Sequence, residues 1–318
     1  MKRYLKITIT ILAVLIWLPD VKAQQDPQLS QYMWNPYTLN PAVAGTLGSY
    51  QVRVNSRLQW TGINGAPQTY QLAAYGPSVT KRMGWGGQLY SDMVGPINTT
   101  SFLLSYAYNV QLTEEFSLSA GLSLGGLQYK VDGSKLDAGD LVFYPELMDL
   151  WQRDPALLSS SMSAFAPDAN MGVYLYRSNM QFGIAAQHLF GSKLNLNSQS
   201  VGLNKLKQHI YATGGYILNV NRELAVEPTV LFKFMNGAPF VPELNCKVTY
   251  NLEVRRKQSQ VWGGVSFRYG DAAALMFGTV FERRYLIGYA FDWSFTKLGQ
   301  YTSGTHEVMI GILFDKIK

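Results

Sequence analysis

The sequence predicts an all-β fold, a transmembrane antiparallel up-and-down β-barrel of about 14 strands. Three observations predict it. Apolar and polar residues alternate strictly over stretch after stretch, most stretches are long enough to cross a bilayer as tilted strands, and the connections sort into an inner set that stays short and an outer set that holds both long loops.

The alternation begins after Gly48. From Tyr50 to Trp60 one face reads Tyr50, Val52, Val54, Ser56, Leu58, Trp60, and the other reads Gln51, Arg53, Asn55, Arg57, Gln59. A period of two places these sets on opposite faces of a strand. The same pattern marks strands near 50-60, 68-75, 83-91, 100-112, 116-129, 170-176, 180-189, 209-219, 223-233, 240-252, 260-269, 272-281, 285-294 and 305-314. Soluble sandwich strands usually run to five or six residues, whereas most of these span nine to thirteen. Aromatic residues make up 13% of the chain, which suits the girdles of a membrane barrel.

If the first strand leaves the inner side, the outer connections are 61-67, 92-99, 130-169, 190-208, 234-239, 270-271 and 295-304. The inner ones are 76-82, 113-115, 177-179, 220-222, 253-259 and 282-284. Both long loops fall in the outer set, as bacterial barrels require. A charge facing lipid at the bilayer midplane costs about 2 to 4 kcal/mol, so Gln51, Arg53, Asn55, Arg57 and Gln59 are expected to line the lumen. His306, Val308, Ile310, Ile312 and Phe314 form one face of the last strand. Hydrocarbon offers unpaired backbone groups no partner, so the last strand is expected to pair with the first.

Ahead of the strands, Lys2, Arg3 and Lys6 precede an apolar run from Ile7 to Leu18 that ends at Val21-Lys22-Ala23. This is the pattern of an export signal over residues 1-23, too short in its apolar part to span a membrane. Removing it leaves 23 basic against 20 acidic residues, a balance too mild to point to nucleic acid. The single cysteine, Cys246, is in phase with Leu244, Val248 and Tyr250 and reads as an apolar filler.

Little in the chain points to reaction chemistry. His188, His209 and His306 lack the spacing of metal ligands and read as hydrogen-bonding groups of the lumen or interface, and no cofactor is expected. Asp137-Ala-Gly-Asp140 lacks a full set of calcium ligands and reads as a turn. Gly84, Gly86, Gly87, Gly263 and Gly264 sit inside strands and read as small lumen or bend positions. The loop 130-169 carries Tyr144-Pro145 and a short helical pattern at 146-153, and suits a contact surface.

Between leader and strands stands residues 24-49, beginning QQDPQLSQYMWNPYTLNPAVAG. Asn35-Pro36 and Asn40-Pro41 hold it out of a regular helix, and it is too rich in aromatic and apolar residues for a solvated linker. It closely resembles the mature N-terminus of the PorP/SprF family of outer-membrane proteins, through Gln25 to Gln28, Gln31-Tyr32-Met33, Asn35-Pro36, Asn40-Pro41 and Ala44-Gly45. Gly304-Thr305-His306-Glu307-Val308-Met309 is similar to that family's ending.

The resemblance implies a non-enzymatic outer-membrane barrel of the type IX secretion and gliding-motility system. Such a protein would bind, help to secrete or anchor cell-surface proteins such as adhesins through their C-terminal signal domains. Its partners would be outer-membrane lipid, a secreted surface protein and the secretion or gliding machinery. Gln31, Tyr32, Met33, Asn35, Pro36, Asn40, Pro41 and Gly45 become the candidate partner-binding or plug motif, with His306 and Glu307 the family-like C-terminal pair. The alternatives are a small-solute channel and a barrel hydrolase. The segment 24-49 is expected in the lumen or at its inner mouth as a plug, with a periplasmic ledge as the competing site, and 50-318 as the barrel.

Overall fold

The computed structural model describes residues 28-79, 82-132, 162-194, 206-235, 240-254 and 257-315. The leader, the Asp137-Asp140 turn and the helical pattern at 146-153 lie outside the described residues.

Among these residues the chain forms a closed antiparallel barrel of 14 strands. They are β1 (Ser49–Leu58), β2 (Gln68–Pro77), β3 (Met83–Val94), β4 (Ile97–Gln111), β5 (Ser117–Val131), β6 (Met162–Arg177) and β7 (Met180–Gln187). β8 (His209–Tyr216) resumes after Ile217 as the two-residue piece Leu218–Asn219. There follow β9 (Leu224–Met235), β10 (Val241–Val254), β11 (Lys257–Arg268), β12 (Ala272–Phe281), β13 (Tyr285–Ser294) and β14 (Thr305–Asp315). Each strand pairs with the next, and β14 closes on β1 from Ser49↔Asp315 to Leu58↔His306. Closure leaves no sheet edge unpaired.

Several boundaries differ from those the pattern predicts, including the start of β6, the 92-99 connection and the 253-259 connection, where β10 runs to Val254 and β11 starts at Lys257. β6 starts at Met162 rather than 170. Its inward positions Met162, Ala164 and Ala166 alternate with outward Ser163, Phe165 and Pro167, and alanine gives too weak an apolar signal to reveal the period. The predicted 92-99 connection is a turn at Gly95 and Pro96, because Asp92, Met93 and Val94 extend β3 and Ile97, Asn98 and Thr99 extend β4.

The strand faces divide by chemistry. Val54, Leu104, Ile184 and Ile310 point outward, Leu104 being 68% exposed, as lipid contact demands. Inward faces are buried and carry small and polar residues together with large apolar ones such as Leu231, Trp262, Met276 and Met309. Most of this burial comes from residues 28-48, which fill the lumen as three 3-10 turns, Tyr32–Trp34, Pro36–Thr38 and Pro41–Val43, while Leu127, Tyr129, Ala164, Ala166 and Leu194 bury one another nearer the long-connection end. Each proline sits at the start of its turn, where its fixed φ suits the backbone and no N–H is needed.

Candidate functional site: the filled lumen

The internal segment descends through the barrel. Gln28 lies against Lys233 and Glu243, near the end that carries the long connections. Gly45 lies against Gly84 at the opposite, short-turn end, beside the start of β1.

Its upper part is held by a half-collar of charge. Ser30 N donates to Glu307 Oε2 at 2.8 Å and Gln31 N to Glu307 Oε1 at 3.1 Å. The Ser30 hydroxyl lies 2.8 and 2.7 Å from the two carboxylate oxygens of Asp292. Arg57 bridges these acids, with Nη1 3.0 Å from Glu307 Oε2 and Nη2 2.8 Å from Asp292 Oδ2, and Arg268 also pairs with Asp292. All four charged side chains are buried. Buried charges persist only when paired and hydrogen-bonded, and here the segment's backbone amides complete the pairing.

Lower down, contacts change from ionic to aromatic and steric. Tyr32 receives a 2.6 Å hydrogen bond from Asn245, Thr229 donates to the Met33 sulfur at 3.2 Å, and the Trp34 and Trp262 rings lie 3.8 Å apart. Tyr37 stacks on Tyr75 at 4.5 Å, and its hydroxyl is 2.6 Å from Ser105 Oγ. Asn40 caps the third turn through Ala42 N at 2.9 Å and donates to Val173 O of β6 at 3.0 Å.

The wall is shaped to this path. A Cβ added to Gly84 would lie 2.1 Å from Ala44 O, at Gly121 2.4 Å from Ala42 N, and at Gly172 2.1 Å from the Asn40 side chain. Gly45 itself adopts φ +81 where it meets Gly84, a conformation and an approach that favour glycine. Above the segment, toward the long-connection end, remains a cavity of about 130 Å³ with Thr38 and Leu39 among its lining residues. His188, paired with Asp168 at 2.9 Å, and His209 also line it.

Every residue of the candidate motif is thereby placed. Gln31, Tyr32, Met33, Asn35, Asn40 and Pro41 are buried in the lumen, Pro36 is half-buried there, and Gly45 is at the short-turn mouth. Gln51, Arg53, Asn55 and Arg57 face inward. Gln59 stands just past β1, its N–H donating to Pro67 O at 2.9 Å. The C-terminal pair divides: Glu307 points in to the collar, whereas His306 points out to the Tyr289 hydroxyl at 2.8 Å. Ser30, Asp292, Arg268 and Glu243 were not singled out by sequence. The available signal was acids and an arginine on the inward register of apolar strands.

A family model described as type IX secretion system membrane protein PorP/SprF matches residues 21–312. The chain belongs to the PorP/SprF family. Nothing among curated proteins matches it. Among solved structures it is similar to the CymD monoaromatic hydrocarbon channel, at 13% identity, TM-score 0.53, and coverage of 88% of this chain and 91% of that one. It is also similar to the Ralstonia pickettii toluene transporter TbuX, at 12% identity, TM-score 0.51, and coverage of 87% and 92%. At these identities the PorP/SprF chain shares a barrel fold with them. It is a membrane β-barrel of a secretion-system family.

Proposed function

We propose that this barrel is a non-enzymatic outer-membrane component that binds, helps to secrete or anchors cell-surface proteins for the type IX secretion and gliding machinery. On this reading residues 1-23 are a cleaved export signal, 24-49 a plug and 50-318 the barrel, with the long connections facing outward. The observation that carries it is the filled lumen. A segment fixed by a buried ionic collar and by close backbone approaches leaves no wide path, so the work falls to the faces of the barrel. The C-terminal domain of a secreted adhesin is the partner class, and the outer connections with the cavity above the plug are its docking face.

Affinity capture of the tagged protein from detergent extract tests this. The expected result is co-purification of a surface protein or a secretion component, lost when the 133-161 loop is shortened. Recovery of neither, together with a large steady conductance in planar bilayers, overturns it. That second outcome supports the alternative, a small-solute channel, which draws its support from the names of the hydrocarbon channel and toluene transporter that share the fold.

A further inference from the structure

We propose that Arg53 is the centre of a buried binding site for a small monovalent anion of the halide class, set between the barrel wall and the plug. Arg53 is 6% exposed, yet it stands outside the charge pairing that accounts for Arg57 and Arg268. Its Nη2 donates to Gln51 Oε1. Its Nε and Nη1 are enclosed and have no protein acceptor. An arginine cannot shed its charge, and a buried charge without a partner is among the costliest features a fold can carry. Two buried N–H groups of one guanidinium with no protein acceptor are the donor set of an anion site.

The surroundings select the ligand. On the strands either side of Arg53 stand Ala73 and Gly311, and a Cβ at Gly311 would lie 3.3 Å from Arg53 Cγ and 3.5 Å from Leu286. The close approach at Gly311 limits any ligand to a compact one, and these neighbours supply no second positive charge, which argues against sulfate and phosphate. The plug covers the site, so a carboxylate on a partner protein has no access to it. Two rungs bracket the position: Gln31, Glu307 and Asn55 above, with Asn55 Nδ2 3.4 Å from Glu307 Oε1, and Tyr37, Tyr75 and Gln51 below, with Tyr75 OH 3.3 Å from Gln51 Oε1. In the wall Arg53 lies between Asn55 and Gln51. In the plug Asn35 lies between Gln31 and Tyr37, and it is 1% exposed with no partner for either side-chain atom. Asn35 is thus the plug residue assigned to the second donor, which makes the anion a bond between plug and wall.

The test uses the full-length protein in detergent. Crystals grown in bromide are expected to show an anomalous peak at hydrogen-bond distance from Arg53 Nε and Nη1. The melting midpoint is expected to rise with chloride relative to gluconate at equal ionic strength. R53M is expected to lose both the peak and the chloride-specific rise, and N35L to weaken the rise while leaving the fold intact. If the anomalous map is empty at Arg53 and R53M melts higher than wild type in both salts, the charge is a plain cost and the site does not exist. The bromide map of the wild-type protein decides the matter even if neither variant folds.

Discussion

At the scale of single residues, Glu307 carries the join between the two ends of the chain. It accepts from the Ser30 and Gln31 amides, from Arg57 and from Asn55, at zero exposure. Removing one partner of such a pair leaves an uncompensated buried charge, so Glu307→Ala is expected to destabilise the protein by about 3 to 5 kcal/mol. Ser30→Ala removes the hydroxyl bonds to Asp292 and those the hydroxyl accepts from Arg57 and Arg268, with no charge left unpaired, and should cost about 1.5 to 3 kcal/mol. Urea unfolding in micelles measures both, and equal effects would contradict the ranking. His306→Phe keeps an aromatic ring on the outward face and should change stability by less than about 1.5 kcal/mol. Sequence marked the His306-Glu307 pair but not the division of labour within it. Alternation turns the two residues opposite ways, and the apolar set Val308, Ile310, Ile312 and Phe314 puts Glu307 on the inward side, but the groups it meets there follow only from the register of β14 on β1 and from the path of the plug. Arg57 is the register partner of Glu307 across that closure, 250 positions away, and no local pattern reports a contact of that span.

At the scale of elements, the plug and the wall are complementary surfaces rather than a chain lying loosely in a pore. Prolines and short turns keep residues 28-48 from the helix or strand their apolar content would otherwise support, and the inward glycines of β3, β5 and β6 mark where its backbone passes. Gly84 was legible as a small lumen or bend position and Gly121 and Gly172 were not singled out, and none was legible as a footprint, because a glycine in a strand reads the same whether it faces a bend, a ligand or another backbone. Gly121→Val should therefore dislodge the third turn, whereas Gly263→Ala, whose Cβ would meet nothing nearer than Met276 O at 3.8 Å, should be tolerated. The readout is protease protection at residues 28-45 in intact vesicles, lost in the first variant and kept in the second. Loss in neither would mean that the plug does not depend on that approach.

At the scale of the whole molecule, the strand pattern, the alternation of connections and the closure were legible in advance because a membrane imposes them on every strand at once. An apolar outward face, a polar inward face and no free edge follow from the solvent, not from the particular sequence. The same logic makes Ile310→Lys, at an outward position 55% exposed, cost about 2 to 4 kcal/mol if that position lies near the midplane. What the solvent does not dictate is the content of the lumen, since a polar wall serves water, a substrate or a plug equally well. Conductance separates these states. With the segment in place a planar-bilayer recording is expected to be nearly silent, because its side chains occupy the barrel from Ser30 in the collar to Gly45 at the short-turn mouth. Deleting residues 28-45 should convert silence to steady open-pore current, since β1 to β14 carry their own hydrogen-bond ladder and the collar's Arg57–Asp292–Arg268 pairing lies entirely within the wall. A deletion that leaves the recording silent while heat-modifiable migration shows a folded barrel would assign the barrier to the connections above. Loss of the fold itself would make the segment a structural core rather than a stopper. Glu307→Ala gives the intermediate case, in which a loosened collar yields brief openings at a frequency between the two extremes.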